Sequence, residues 1–227
     1  MNKSAKLIIA GAVLSIAIAT PAMADISANI GLLSDYFYRG VVQNTTATTN
    51  GGVDFEKKWA VNSVTHGVYL GTWTADVEDG LEIDVYGGYT VEFASGSTLG
   101  AGFTNYSYTG GFDDTYQEIN LTASWNIVSL EYSFGEYDNF GGQVLGYSFA
   151  AITIEKNGFY GKYGQFGARA GDNPFESGDY FEFGYGMEIG GFDVGASIVI
   201  NGEDLDLETG DGTETIIFSL SKSFDLN

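Results

Sequence analysis

The stretch Leu81–Glu92 constrains the fold more than any other part of the chain, because apolar and polar residues alternate along it with a period of two. Such a period places the two sets on opposite faces of a β-strand. One face is apolar, whereas the other carries Glu82, Asp84 and Glu92 and must meet water. A transmembrane strand has this form, with about 9–11 residues between lipid and an aqueous lumen.

The N-terminus has the features of an export signal. Two lysines are followed by the apolar stretch Leu7–Ala19 and by the small-x-small pattern Ala22-Met23-Ala24. The apolar run is shorter than the roughly 20 residues of a membrane-spanning helix. We therefore predict that Met1–Ala24 is a cleaved signal peptide rather than an anchor. Residues 25–227 are then one domain of an exported protein, either a soluble one or one integral to the outer membrane of a Gram-negative bacterium.

Composition narrows the choice of fold and partners. The chain has 33 Gly, 15 Tyr, 16 Phe, 2 Pro and no Cys, which suits a closed, curved sheet with aromatic girdles and no disulfides. Lys and Arg number 9 against 30 Asp and Glu, and the signal holds two of the lysines and no acids, so the mature chain carries −23. Such a charge disfavours nucleic acid as a partner and favours cations.

Twelve alternating segments follow the signal. They lie at about 26–39, 50–57, 64–73, 80–92, 98–108, 115–125, 127–136, 146–155, 159–167, 178–189, 192–201 and 214–224. Connections after even-numbered segments are mostly tight, although 57–63 is longer. Those after odd-numbered segments are longer, at 40–49, 74–79, 109–114, 137–145, 168–177 and 202–213. Short turns on one rim and long loops on the other are typical of outer-membrane barrels. We predict an all-β fold, a transmembrane antiparallel up-and-down β-barrel of about 12 strands.

Charged residues within the strands are predicted to line the lumen, because a charge at the lipid midplane costs a few kcal/mol. The acids placed there are Glu82, Asp84, Glu118, Glu131, Glu182 and Glu188. Asp35 and Arg39 fall on the polar face of the first predicted strand, either as a charged constriction or as a structural salt bridge. With Lys162 and Arg169 they would set a transverse field against the acidic wall. Segment 159–167 is aromatic on both faces and stays unassigned.

The acidic loop Gly202–Thr213 is a candidate calcium site. Its carboxylates Asp204, Asp206, Glu208 and Asp211 offer the oxygen ligands that Ca²⁺ prefers. The EF-hand pattern fails, because Thr209 stands where the glycine of the sharp turn belongs. A solvated surface loop is the simpler interpretation. Divalent ions bridging such a loop to lipopolysaccharide phosphates are an intermediate one.

Catalysis is not indicated. His66 is the only histidine, the predicted topology places it near the periplasmic rim, and no G-x-S-x-G motif occurs. Trp59, Trp73 and Trp125 fall at strand ends and are predicted to form interfacial belts. We predict a protein that is not an enzyme and has no cofactor, apart from a divalent cation at the outer loops.

Several stretches resemble a known family. They are Ser34–Gly40, Gly51–Phe55, GVYLGTWTADV at 67–77, LEIDVYGGY at 81–89 and SLSKSF at 219–224. In this order they resemble the Gcw_chp family of proteobacterial proteins, also called TorF-family porins, over nearly the whole mature chain. The family's tryptophan motif reads more like W-A-S-N-V, where this chain has Trp73–Val77 with an aspartate at position 76. The resemblance implies an outer-membrane barrel.

Together these observations predict a channel for passive diffusion of small hydrophilic solutes, with cations or neutral molecules preferred. Lumenal carboxylates would attract cations and exclude anions. The alternative is a closed structural or adhesive barrel whose acidic loops bind divalent cations, lipopolysaccharide or a partner. Expected partners are outer-membrane lipid, lipopolysaccharide and the barrel-assembly machinery, whose signal the last strand resembles near Phe224.

Overall fold

Twelve antiparallel strands close into one barrel in the computed structural model, which describes residues 24–170, 178–206 and 211–226. The barrel strands are β1 (Ala24–Leu33), β4 (Thr48–Val61), β5 (Val64–Val77), β6 (Gly80–Phe93), β7 (Thr98–Tyr108), β8 (Tyr116–Trp125), β9 (Val128–Tyr137), β10 (Leu145–Lys156), β11 (Phe159–Ala170), β12 (Asp179–Ile189), β13 (Phe192–Asn201) and β14 (Thr213–Asp225). Two strands stand apart as a separate hairpin, β2 (Tyr36–Tyr38) and β3 (Val41–Asn44). The predicted fold is confirmed. Among the described residues no helix is long and apolar enough to cross a membrane.

The two faces of the barrel follow the alternation in the sequence. On β6, Leu81, Ile83 and Val85 are exposed on the outside, whereas Glu82 and Asp84 point inward and are buried. The same alternation holds on β8, β9 and β12. It also assigns the two faces of β11, which the sequence left open. Lys162 and Tyr160 point into the barrel, whereas Tyr163 packs against Phe181 on the outer face. An apolar belt therefore surrounds a polar interior.

Tight turns lie on the rim that carries both termini, which we call the terminal rim. Asn62, Asn126 and Asn157 each have a positive φ in a two-residue turn there. Two connections predicted to be longer are tight. The connection predicted at 57–63 shrinks to residues 62–63, because β4 stays paired with β5 as far as Val61. The opposite edge is the loop rim, where the connection predicted at 74–79 shrinks to residues 78–79.

The first predicted strand, 26–39, is wrong in its second half. Leu33 and Thr48 already face each other on β1 and β4, so residues 34–47 are not needed to build the wall. Within them β2 and β3 form a hairpin that folds into the lumen, and we call residues 36–44 the inner hairpin. Its turn is Arg39-Gly40, with φ of 49° and 82°. The inner hairpin buries its side chains by packing inside the barrel. This burial explains why the chain leaves the wall here.

Aromatic side chains fill the lumen beside the inner hairpin. Together with aliphatic residues they form a buried cluster, which we call the aromatic cluster. It comprises Val41, Tyr106, Tyr116, Tyr137, Tyr147, Phe149, Ala151, Phe166, Tyr180, Val199, Leu205 and Ile217. Small residues dominate several inward positions nearer the terminal rim, where Gly100 faces Thr122 and Gly195 faces Ser219. The lumen is therefore packed near the loop rim and wider toward the terminal rim.

Candidate functional site

Arg39, at the turn of the inner hairpin, is the centre of a charged cluster inside the barrel. Its guanidinium donates to both carboxylate oxygens of Glu118, at 2.6 and 3.1 Å. It also donates to Glu131 at 2.7 Å and to Ser133 at 3.1 Å. The ring of Phe149 lies 4.2 Å from the guanidinium carbon and covers the charge. The hairpin is thus attached to β8 and β9 by a bidentate ion pair and its neighbours.

Glu118 is prepared for this contact by the barrel wall. Its side chain is fully buried and accepts hydrogen bonds from Tyr106, Tyr147 and Asn120, in addition to those from Arg39. A buried carboxylate is tolerated only when its oxygens are satisfied in this way. The wall therefore supplies a site built for a positive charge, and the inner hairpin provides that charge.

The cluster continues toward β11 and β12. Glu131 lies 3.7 Å from the Lys162 amine on its other side. Lys162 faces Glu182 directly across the β11–β12 ladder, and the Tyr160 hydroxyl donates to Glu182. Basic and acidic groups thus alternate across the lumen from Glu118 through Arg39 and Glu131 to Lys162 and Glu182.

Two further contacts attach the inner hairpin to other parts of the wall. The Tyr36 hydroxyl donates to Glu82 on β6 at 2.8 Å. On β13, the Asn201 amide donates to the Gly40 carbonyl at 2.9 Å. A Cβ at Gly40 would lie 2.7 Å from the Tyr180 Cβ, so only glycine fits this close approach. Because β8 and β13 are five strands apart in a ring of twelve, the hairpin bridges nearly opposite walls.

The inner hairpin leaves a cavity on one side. The cavity lies between Phe37 and Arg39 of the hairpin and the wall built by β11–β14. Glu182, Ser197 and Ser219 supply the polar part of that wall. Val199 and Ile217 also line the cavity and belong to the packed aromatic cluster, which narrows it toward the loop rim.

The residues predicted to line the lumen fall into three groups. The charged cluster brings together Arg39, Glu118, Glu131, Lys162 and Glu182. Glu82 and Asp84 form a separate buried pair on β6. Asp35 lies in the bend before β2, Glu188 is exposed at the terminal-rim end of β12, and the Arg169 side chain lies outside the described residues. The placement of Asp35 and Arg39 on the first wall strand is corrected, because both follow the end of β1. Their role in conduction stays a prediction.

The acidic loop is described only in part. Asp204 lies in a short 3₁₀ turn (Glu203–Leu205), Asp206 is buried after it, and Asp211 is exposed. Glu208 lies outside the described residues, so the calcium hypothesis stays a prediction. Among the residues that the structure does describe, no three His, Asp or Glu side chains are placed to hold a metal ion.

Trp73 is the clearest correction among the aromatic residues. It was predicted in an interfacial belt, yet it points into the lumen and packs edge-on against Tyr36 at 5.7 Å. The reason is parity, because Trp73 shares the inward face of β5 with the buried Ala75 and Val77. Trp125 is 67% exposed on the outside. Trp59 stacks on His66, which lies beside Tyr89 on the outer face.

Sequence reasoning missed the partners of the charged cluster. Tyr36, Tyr106, Ser133 and Asn201 each contact the inner hairpin or its anchors, and none belongs to a recognisable motif. The one available signal was Gly40, the first residue of the connection predicted at 40–49, because glycine readily adopts the positive φ of a tight turn.

Comparison with known proteins supports the fold. A family model described as a bacterial protein of unknown function, Gcw_chp, matches residues 18–224. No curated protein matches the chain. A solved structure from work titled "Unveiling the Mechanism Behind the in-meso Crystallization of Membrane Proteins" is similar at TM-score 0.58 and 10% identity, over 89% of this chain and 84% of that one. A porin mutant from Rh. blastica is similar at TM-score 0.38 and 9% identity, over 89% of this chain and 100% of that one. Of these two, the first is similar enough to support the barrel fold, and it supports nothing beyond the fold.

Proposed function

The chain belongs to the Gcw_chp family, and we propose that it is an outer-membrane channel for passive diffusion of small hydrophilic solutes. In this proposal the inner hairpin sets the conductance, and the acidic lumen favours cations or neutral molecules. The observation that carries the proposal is the hairpin itself, which crosses the lumen and is attached to β6, β8 and β13. An inward-folded segment restricts a barrel wide enough to conduct, since twelve strands enclose more room than eight.

Membrane insertion is supported by the outer surface. Ile30, Leu70, Val85, Phe183 and Phe218 are each at least half exposed on different strands. A continuous apolar belt of this kind is stable in contact with lipid and would be unusual on a soluble protein. The predicted signal peptide and the bacterial family agree with insertion into the outer membrane.

Cation preference is supported by the lumenal charges. Arg39 and Lys162 are engaged by Glu118 and Glu131, so their positive charges are largely compensated. Glu182 borders the cavity beside the hairpin. A carboxylate that borders a solute path attracts cations and repels anions. We therefore place the route of solutes between the inner hairpin and the β11–β14 wall.

The occluded lumen also favours the alternative of a closed barrel. The packing of Tyr137 and Leu205 in the aromatic cluster restricts access from the loop rim. In that case the acidic outer loops, bridged by divalent cations to lipopolysaccharide, would carry the function. The protein would then show no conductance even when the hairpin is removed.

Planar-bilayer conductance of the purified mature chain in a KCl gradient tests the proposal. A variant in which a Gly-Ser linker replaces residues 36–44 removes the inner hairpin, while Leu33 and Thr48 remain paired. We expect small steps from the native protein, several-fold larger steps from the variant, and a cation-selective reversal potential in both. Glu182→Gln should reduce the selectivity without closing the pore.

The matched control is Glu214→Gln, which removes a carboxylate from the outer surface of β14 at the loop rim. It should leave conductance and selectivity unchanged. Folding of each variant is checked by heat-modifiable migration on gels. A folded hairpin-less barrel that gives no steps would overturn the channel proposal and support the closed barrel.

A further inference from the structure

Glu82 and Asp84 are buried together at the point where the inner hairpin meets β6. Their side chains lie on the same face, two residues apart, and are 0% and 1% exposed. They occupy successive inward positions of β6, so the two carboxyl groups are neighbours inside the barrel. Two neighbouring carboxyl groups that are both shielded from water resist ionising together, because their charges repel and neither carboxylate can donate a hydrogen bond.

The hydrogen bonds around the pair leave one place for a proton. Glu82 Oε2 accepts from the Tyr36 hydroxyl of the hairpin. Glu82 Oε1 and Asp84 Oδ1 have no hydrogen-bond donor among the residues that the structure describes. A single proton held between these oxygens would satisfy both of them, which an unprotonated pair does not achieve.

Within the described part of the chain, no ion pair joins a basic side chain to Glu82 or Asp84 in place of that proton. The titratable groups that interact with the pair are Tyr36 of β2, Tyr86 of β6, Tyr106 and Tyr108 of β7, Asp113 of the β7–β8 connection and Glu118 of β8. Each of these is a phenol or a carboxyl. Arg39, on the hairpin, is bound to Glu118 and Glu131.

We propose that Glu82 and Asp84 form a proton-binding site, and that the shared proton keeps the Tyr36 end of the inner hairpin docked. Loss of the proton places two adjacent charges under Tyr36, and their repulsion and need for water open the contact. Tyr36 then moves away from Trp73, its edge-on neighbour. The effect on conductance depends on the proposed channel function, but the movement itself does not.

A protein in which Trp73 is the single tryptophan reports this movement. The variant carries Trp59→Phe and Trp125→Phe, both on the outer surface. Emission and acrylamide quenching are followed in detergent from about pH 5 to about pH 9, below the range in which exposed tyrosines ionise. We expect quenching of Trp73 to rise several-fold through a transition in this range.

In this background Glu82→Gln and Asp84→Asn each supply a permanent donor and remove one charge. Either variant should abolish the transition while Trp73 stays protected. Glu92→Gln, at the other end of the inward face of β6, is the matched control and should leave the transition in place. If one of the two variants fails to fold, which gel migration reveals, the other still tests the proposal.

Three results would overturn the proposal. The first is a folded parent protein without any transition, and the second is a transition that persists in both Glu82→Gln and Asp84→Asn. The third is restored protection of Trp73 when Ca²⁺ is added at the alkaline end of the pH range, which would assign the site to a cation instead. Because fluorescence needs no conductance, failure of the channel proposal would leave these outcomes readable.

Discussion

The buried charge and the unusual backbone conformation of Arg39 are stabilised by the partners of its side chain. Its side chain is 6% exposed, and its φ of 49° lies in a region that residues other than glycine seldom adopt. The compensation comes from Glu118, whose remaining hydrogen bonds orient it toward the guanidinium. Removing one member of such a buried pair leaves the other charge unsatisfied, which typically destabilises a protein by about 3–5 kcal/mol.

A double-mutant cycle on this pair should therefore reveal strong coupling. Arg39→Ala and Glu118→Gln should each lower the free energy of unfolding. Because each single change already breaks the ion pair, the double variant should lose less than the sum, by at least about 1 kcal/mol. Urea unfolding in lipid vesicles, followed by tryptophan fluorescence, measures each value.

The control cycle uses Lys58 and Glu56, an ion pair of similar length at 2.8 Å on β4. These side chains are 14% and 30% exposed, so water screens them and a coupling below about 1 kcal/mol is expected. Equal coupling in the two cycles would show that Arg39 adds nothing beyond an ordinary ion pair.

At the level of elements, the wall could be predicted from the sequence and the inner hairpin could not. A period of two indicates which residues of a strand face inward and which face outward. This pattern was sufficient to assign both faces of β6 and β8. The inner hairpin has the same period, and local pattern does not tell a wall strand from a strand inside the lumen. Its anchors are also distant in sequence, since Arg39 and Glu118 are 79 residues apart. Parity therefore placed Glu118, Glu131 and Glu182 of the charged cluster on inward faces but gave none of their pairings.

The docked hairpin should protect its own turn from proteolysis. Arg39 and Arg169 are the two arginines of the chain, so an arginine-specific protease has few sites. In the folded protein, cleavage after Arg39 should be at least about tenfold slower than in the urea-unfolded chain, because proteolysis follows the population of the open form. Mass spectrometry of the fragments measures the two rates.

Arg39→Lys removes this cleavage site and identifies the fragment that belongs to it. The unfolded chain should be cleaved after both arginines, which confirms that the protease is active. Equal rates of cleavage after Arg39 in the folded and unfolded protein would mean that the inner hairpin is not docked in solution.

In the whole molecule, the barrel wall separates an apolar exterior from a polar interior, and each strand must suit both. The outer face carries exposed aliphatic and aromatic side chains, and the inner face carries charged groups, among them the ion-paired Arg39, Glu118, Glu131 and Lys162. The three tryptophans sample both environments, since Trp125 and Trp59 are outside and Trp73 is inside against Tyr36.

This division predicts how lipid will quench each tryptophan. In vesicles of bromine-labelled phospholipid, a protein with Trp125 alone should lose most of its emission, because the outward side chain at a strand end meets the bilayer. A protein with Trp73 alone should retain its emission, since the wall and Tyr36 separate it from lipid. Unlabelled vesicles provide the reference for each variant. Strong quenching of Trp73 would place the face of β5 that carries Tyr69, Trp73 and Ala75 against lipid, and would contradict the barrel described above.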